Sequence, residues 1–378
     1  MLRKEMTVQE LTEKVLNKEN IFIFDVRNES DFYDWKIEGE NFEYLNVPYF
    51  ELIDGVETVI DRIPKEKEVV VVCAKGGSSA FVAEKLAEAG FDNVYTLAGG
   101  MKAWSEHLHQ TKVYENDKLK VYQFIRVGKG CLSYMVISGT EALVIDPSRF
   151  IDVYEKVAQK EGTLITHIVD SHLHADHISG GKALAERTGA AYYLMKSEGA
   201  VFEFEPLEQH NTIDFENVHL EVLAVKTPGH TPGSVSFFVN QQLLFSGDTI
   251  FVGGLGRPDL GGKVAEWASD LYDTVYEKVA AIADEVIVLP AHYSNLDEEM
   301  NAEGYIGDTL GNIRARNEMM QNKPKEEFIH FVVQNANTNT PPNFEDIVAI
   351  NRGQKFVDIE QQQELEIGPN RCALHHTH

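Results

Sequence analysis

The sequence predicts an α/β protein of two domains, and three observations carry that prediction. Over the first hundred residues, short apolar runs alternate with amphipathic helical patterns, as in a parallel sheet with helices on both faces. The stretch H-Q-T-K-V-Y-E-N-D-K-L-K (109–120) then turns polar. Beyond it strand patterns dominate, and a length of 378 residues is long for a single domain. We place a first domain at 1–112 and a second at 118–378.

The elements follow in order. Thr7 is a helix N-cap, and Val8, Leu11, Val15 and Leu16 mark one face of the helix it opens. I-F-I-F-D-V (21–26) and E-V-V-V-V-C (68–73) read as buried strands. S-S-A-F-V-A-E-K-L-A-E-A-G (78–90) reads as a helix stopped by Gly90, and N-V-Y-T-L (93–97) as a strand. In the second domain strands are expected at 120–125, 134–138, 142–146, 164–171, 220–225, 234–239, 242–246 and 285–290. Gly139-Thr140 makes a hairpin turn between the second and third of these. Helical patterns fall at 151–160, 181–188 and 264–283. The polar tail Q-Q-Q-E-L-E-I-G-P-N-R-C-A-L-H-H-T-H reads as a frayed terminus.

Composition bounds the partners. Apolar residues make up 43% and charged residues 25%, as in ordinary globular proteins. The net charge of −26 repels a phosphate backbone, so nucleic acid is not an expected partner, although a small anion could still meet a local basic spot. The N-terminus M-L-R-K-E-M-T-V has no apolar core of signal-peptide length, and no run is long enough to span a membrane. Cys73, Cys131 and Cys372 are three and widely spaced, a poor disulfide framework that fits a reducing cytoplasm. A homodimer is the default assembly.

Two constellations carry chemistry. Cys73 closes the strand 68–73, and A-K-G-G-S-S leads into the following helix. A thiolate there meets the backbone N–H groups of a glycine-rich turn and the positive end of the helix dipole, and Lys75 adds a nearby cation. A buried structural cysteine at a strand end fits this loop equally well. Together with D-V-R (25–27) and G-G-M-K-A-W (99–104), the loop resembles that of the rhodanese family over roughly 5–110. The resemblance implies that Cys73 carries a persulfide between donor and acceptor, cradled by Lys75, Gly76, Gly77 and Ser78, with D-V-R largely structural. Many rhodanese loops carry an arginine near their end. Ser78 and Ser79 stand there in this chain.

The second constellation is S-H-L-H-A-D-H-I-S-G-G (171–181), which puts His172, His174, Asp176 and His177 in a loop after a strand. Neutral imidazoles plus a carboxylate suit Zn, Fe or Mn. T-P-G-H adds His230, F-S-G-D-T adds Asp248 and P-A-H-Y adds His292. In this order the pattern resembles the metallo-β-lactamase superfamily over about 118–300, implying an αββα sandwich with a metal cleft along one edge. A-D-H-I-S-G (175–180), T-P-G-H-T-P-G-S (227–234), G-L-G-R-P-D-L (254–260) and P-P-N-F-E-D-I-V (341–348) resemble its persulfide dioxygenase branch more closely.

That resemblance implies one Fe2+ per chain on His172, His230 and Asp248, a two-histidine, one-carboxylate set with open positions. His174, Asp176, His177 and His292 then stand around these ligands or hold a second metal. Arg257 is placed either to hold a carboxylate of the thiol carrier or in a structural salt bridge, and Cys131 either sits near the site or, the favoured reading, packs. The implied reaction takes a small thiol persulfide, O2 and water to thiol and sulfite, with the rhodanese domain moving sulfane sulfur between persulfide, sulfite or thiosulfate, and thiol. The alternative is a glyoxalase II-like hydrolase with two Zn2+ ions acting on a thioester. A third reading is a persulfide sensor without turnover.

Overall fold

A computed structural model describes residues 4–223, 233–256, 264–334 and 343–370. It divides into two compact units. The first is Met1–His109 with Arg126–Lys129 and Ile367–Pro369; the second is Gln110–Ile125, Gly130–Glu366 and Asn370–His378.

The first unit is built on five parallel strands: β1 (Glu5–Met6), β2 (Ile21–Asp25), β3 (Phe42–Asn46), β4 (Glu68–Val72) and β5 (Val94–Leu97). Their order is β1-β5-β4-β2-β3. Phe22, Phe24, Val69 and Val71 share one core cluster with Val82, Ala83 and Leu86. Ile21, Ile23, Val70 and Val72, which alternate with them, are equally buried. Both faces are thus covered, which is why the strands read as continuous apolar runs rather than alternating ones. Helices α1 (Val8–Leu16), α2 (Glu29–Asp34), α3 (Gly77–Glu88) and α4 (Gly100–Glu106) complete the unit. Thr7 caps α1 as expected, in a reciprocal capping box with Glu10.

The second unit contains two mixed sheets. One joins β6 (His109–Glu115), β7 (Lys120–Arg126), β8 (Cys131–Ser138), β9 (Glu141–Ile145), β10 (Leu164–Val169), β11 (Ala191–Leu194) and β12 (Glu205–Pro206) in sequential order. The other joins β13 (Thr212–Phe215), β14 (Val218–Leu223), β15 (Ser236–Val239), β16 (Leu243–Gly247), β17 (Ile287–Pro290) and β18 (Asp308–Thr309). The sheets pack face to face: Tyr134 of β8 meets Phe245 of β16 edge-on at 5.0 Å between ring centroids. Buried Gln123 of β7 donates to the Ile306 carbonyl at 2.7 Å.

Helices lie outside both sheets. Tyr154 of α5 (Asp152–Glu161) packs on Phe124 of β7 at 4.7 Å, and α6 (Gly181–Thr188) buries Leu184. On the far side, Leu244 and Val288 meet α7 (Val264–Asp273), α9 (Leu310–Arg316) and α10 (Lys325–Gln334). The short α8 (Leu296–Glu299), then α11 (Phe344–Asn351) and α12 (Ile359–Leu365), complete the unit. The chain is therefore α/β, with a parallel five-stranded unit followed by an αββα sandwich.

Three local expectations change. The polar stretch after His109 is partly the edge strand β6. The helical pattern 264–283 breaks after Asp273 into a π turn and a 3-10 turn. The tail is ordered further than its polarity suggests: Asp358 and Gln361 form a capping box on α12, and Glu366 is fully buried.

Candidate metal centre and thiol loop

Parallel strands deliver the metal-site loops to one edge. β9 and β10 run side by side in register, so Asp146 and Asp170 emerge together at their carboxyl ends. Asp146 sits at φ 51°, where a short polar side chain is tolerated. Its carboxylate accepts the Ser171 N–H at 2.6 Å and the Ser171 hydroxyl at 2.9 Å. That pair anchors the start of the histidine loop. Ser171 Oγ lies 3.0 Å from His172 Nδ1, and His172 Nε2 faces Asp248 Oδ2 at 3.6 Å.

The other sheet supplies the opposite wall. β16 and β17 are parallel neighbours, with Gly247 beside Pro290. Asp248 and His292 consequently leave adjacent strand ends. His292 Nδ1 meets Asp248 Oδ1 at 2.5 Å and its Nε2 meets Asp176 Oδ2 at 2.9 Å. The other oxygen of Asp176 lies 3.1 Å from His177 Nδ1. His172, His174, Asp176, His177, Asp248 and His292 are all at most 4% exposed.

His174 turns aside from this set. Its Nε2 lies 3.3 Å from Asp146 and 3.7 Å from Asp170. Burial opposes its protonation, but the two carboxylates prevail and hold its pKa well above the usual imidazole value. Asp170 is itself fixed by Tyr192, which donates to it at 2.6 Å, and by the Ser179 hydroxyl at 2.7 Å. For Asp176, burial favours the neutral acid, yet His177 and His292 overcome it and hold the carboxyl well below its ordinary range.

Cys131 does more than pack. It leads β8, pairs with His292 in an isolated bridge, and places its buried thiol 3.0 Å from Asp176 Oδ2. Burial and the Asp176 charge raise its pKa, but His292 and His177 outweigh them, and the net direction is down. Cys131, Asp176, His177 and His292 offer four donor atoms within 4.8 Å of one another, and Asp146, Asp170 and His174 form a second such group. Asp146 and Asp170 had a sequence signal, an aspartate closing each of V-I-D and I-V-D. The partner of Cys131 is set by a distant strand and had none. His230 and Arg257 lie outside the described residues, as does Cys372.

The donor set fits a transition-metal ion. His172 Nε2 and Asp248 Oδ2 are a nitrogen and a carboxylate oxygen, buried, and close enough for one ion to join them at bonds of about 2.1 Å.

In the first unit, Cys73 follows β4 and its Sγ accepts the Gly76 N–H at 3.0 Å. The Ser79 hydroxyl lies 3.3 Å from the sulfur and donates to the Gly76 carbonyl at 3.2 Å. Gly76 caps α3 at φ 100°, a conformation for which glycine carries little penalty. Lys75 and Gly77 are exposed and Ser78 is half-buried, so the groups touching the sulfur are the Gly76 amide and Ser79. The N-terminus of α4 holds the loop from behind, Met101 N–H donating to the Cys73 carbonyl at 2.9 Å and Lys102 N–H to the Ala74 carbonyl at 3.0 Å. Asp25 and Arg27 of D-V-R form a buried pair at 2.7 Å, and Arg27 also donates to the Trp35 carbonyl.

Residues 126–293 match the model of the metallo-beta-lactamase superfamily, and residues 7–107 match that of the rhodanese-like domain. Fold and site thus define a metallo-β-lactamase protein with a rhodanese-like unit ahead of it. The human mitochondrial persulfide dioxygenase ETHE1 is 31% identical over 212 residues, 51% of this chain and 77% of that protein. The chain belongs to the persulfide dioxygenase branch of the superfamily. It spans a smaller share, 59%, of the bovine mitochondrial persulfide dioxygenase ETHE1, at 34% identity over 40% of this chain. The crystal structure of ETHE1 from Myxococcus xanthus aligns with a TM-score of 0.51 at 26% identity, covering 65% of this chain and all of that one. A hydroxyacylglutathione hydrolase from Nitrosomonas eutropha is 30% identical over 44% of this chain and 63% of its own length.

Proposed function

We propose that the chain is a bifunctional sulfur-metabolism enzyme, with a sulfurtransferase domain at 1–112 and a persulfide dioxygenase domain at 118–378. The dioxygenase reaction is R-S-SH + O2 + H2O giving R-SH, sulfite and two protons. The sulfane sulfur loses four electrons and dioxygen takes them up. His172, His230 and Asp248 would hold one Fe2+. That ion supplies the electron exchange between sulfur and oxygen that Zn2+, with no accessible redox change, does not.

The observation that carries this reading is how the remaining donors are used. Both oxygens of Asp176 are engaged by His177, His292 and Cys131, while Asp248 Oδ2 faces His172 Nε2. The His172–Asp248 pairing supports one histidine and the carboxylate of the proposed two-histidine, one-carboxylate centre. Asp248 divides its labour: Oδ1 is held by His292, and Oδ2 is directed to the metal side. His292 has a carboxylate oxygen on each ring nitrogen, which fixes its ring between Asp248 and Asp176.

In the other domain, Cys73 would carry the sulfane sulfur. The lone pair of sulfite attacks the outer sulfur of the Cys73 persulfide, the S–S bond breaks, and Cys73 thiolate and thiosulfate result. The Gly76 amide, which donates to the sulfur, stabilises that thiolate. Run in reverse, thiosulfate loads Cys73 for delivery to a small thiol such as glutathione. The three widely spaced cysteines support a reducing cytoplasmic setting. Among the described residues, no helix is long and apolar enough to cross a membrane.

The test is a C73S variant of the full chain. It should retain persulfide-dependent dioxygen uptake and lose thiosulfate formation. Simultaneous loss of both activities contradicts two independent domains.

A second reading, a dinuclear-zinc thioester hydrolase, has a specific observation in its favour: the clustered donors of Cys131, Asp176, His177 and His292. Two zinc ions per chain together with thioester turnover would support it over the dioxygenase.

A further inference from the structure

The stretch matched by the metallo-β-lactamase model ends at residue 293. The chain beyond it returns to the back of the metal loop. Residues 171–178 form neither helix nor strand and are all buried. Their buried backbone groups need partners from elsewhere. Asn351, the last residue of α11, supplies three. Its Nδ2 donates to the carbonyls of His174 and His177, each at 2.8 Å, and its Oδ1 accepts the Ser179 N–H at 2.9 Å. Only a side-chain amide can donate twice and accept at once in this arrangement. Glu366, just after α12, accepts the Ile178 N–H on Oε1 at 2.7 Å. Its Oε2 is fixed by Arg149 Nε at 2.6 Å. Asn351 is 9% exposed and Glu366 fully buried.

We infer that Asn351 and Glu366 are positioning residues of the metal centre. They set the path of the loop that carries His172, and metal affinity therefore depends on a C-terminal segment outside the matched region. The inference rests on the reading that the 172–177 loop belongs to a metal site. It does not depend on which reaction that metal serves.

The decisive variant is N351D in the full chain. It preserves shape but faces a carboxylate oxygen toward two carbonyl oxygens now 2.8 Å from Nδ2. With Co2+ as the probe, binding should weaken about tenfold to a hundredfold, as expected for outer partners of metal ligands. The visible d–d spectrum of the remaining bound cobalt should also change, which simple loss of fold stability does not produce. E366A, which removes one loop contact and the Arg149 pair, should act in the same direction and gives a second route if N351D folds poorly. D346N, on the side of α11 paired with Lys355, should leave cobalt binding unchanged. Wild-type affinity and spectrum in both N351D and E366A overturn the inference. Absence of dioxygen uptake by the wild type would instead count against the dioxygenase reading, leaving the cobalt result to stand by itself.

Discussion

Gly100 gives a sharp handle on the thiol loop. The residue sits at φ 61°, and a Cβ placed there would lie 2.2 Å from the Cys73 carbonyl oxygen and 2.9 Å from the Ala74 carbonyl carbon. Real Cβ contacts do not fall below 3.0 Å, so G100A must push the two backbones apart by at least 3.0 − 2.2 = 0.8 Å. The left-handed backbone adds about 1–2 kcal/mol for a residue with a Cβ. The shift strains the bonds from Met101 and Lys102 to the Cys73 and Ala74 carbonyls, each worth about 1 kcal/mol. The first unit should therefore lose about 3–4 kcal/mol. A nucleophile displaced by nearly 1 Å should react about a hundredfold more slowly. The assay is sulfur transfer from thiosulfate to cyanide, run beside dioxygen uptake with a persulfide and denaturant unfolding of each unit. Transfer should collapse while dioxygen uptake holds. Native transfer and unchanged unfolding in G100A would refute the claim that α4 sets the position of Cys73.

Two further outcomes follow from the second unit. Burial holds the Glu299 carboxyl above the usual range, despite N–H donors from Ser294 and Asn295. A raised acid binds more protons folded than unfolded, so stability falls as pH rises from the unfolded value near 4.5 through the folded one. E299Q keeps an acceptor oxygen and should flatten that slope in unfolding measured across this window; an unchanged slope would contradict the assignment. For the metal, one Co2+ should bind per chain with no sulfur-to-cobalt charge-transfer band, and C131S should leave the spectrum unaltered. A second cobalt whose thiolate band vanishes in C131S would favour the dinuclear reading.

Much of the architecture was legible because its signals are local. The buried parallel strands of the first unit read as continuous apolar runs, and Thr7 announced its helix. Among the described residues, the candidate metal ligands could be picked out because they crowd into one loop and at the ends of β16 and β17. What escaped depends on contacts remote in sequence. Cys131 enters the site through its bridge to His292, and nothing in G-K-G-C-L-S-Y-M reports that pairing. Asn351 at the end of α11 and Glu366 in the polar tail look like ordinary polar residues, yet tertiary hydrogen bonds fix them. The helix expected over 264–283 breaks where packing takes over from propensity: α7 through Asp273 and the turns after it bury Ala268, Leu271, Val275 and Val279 against one cluster.

The most direct measurement is dioxygen uptake by anaerobically Fe2+-loaded protein on addition of glutathione persulfide, with Zn2+-loaded protein as control. Uptake matched by sulfite release in the iron form alone is the predicted result. No uptake across several thiol persulfides, together with thioester hydrolysis by the zinc form, would contradict it.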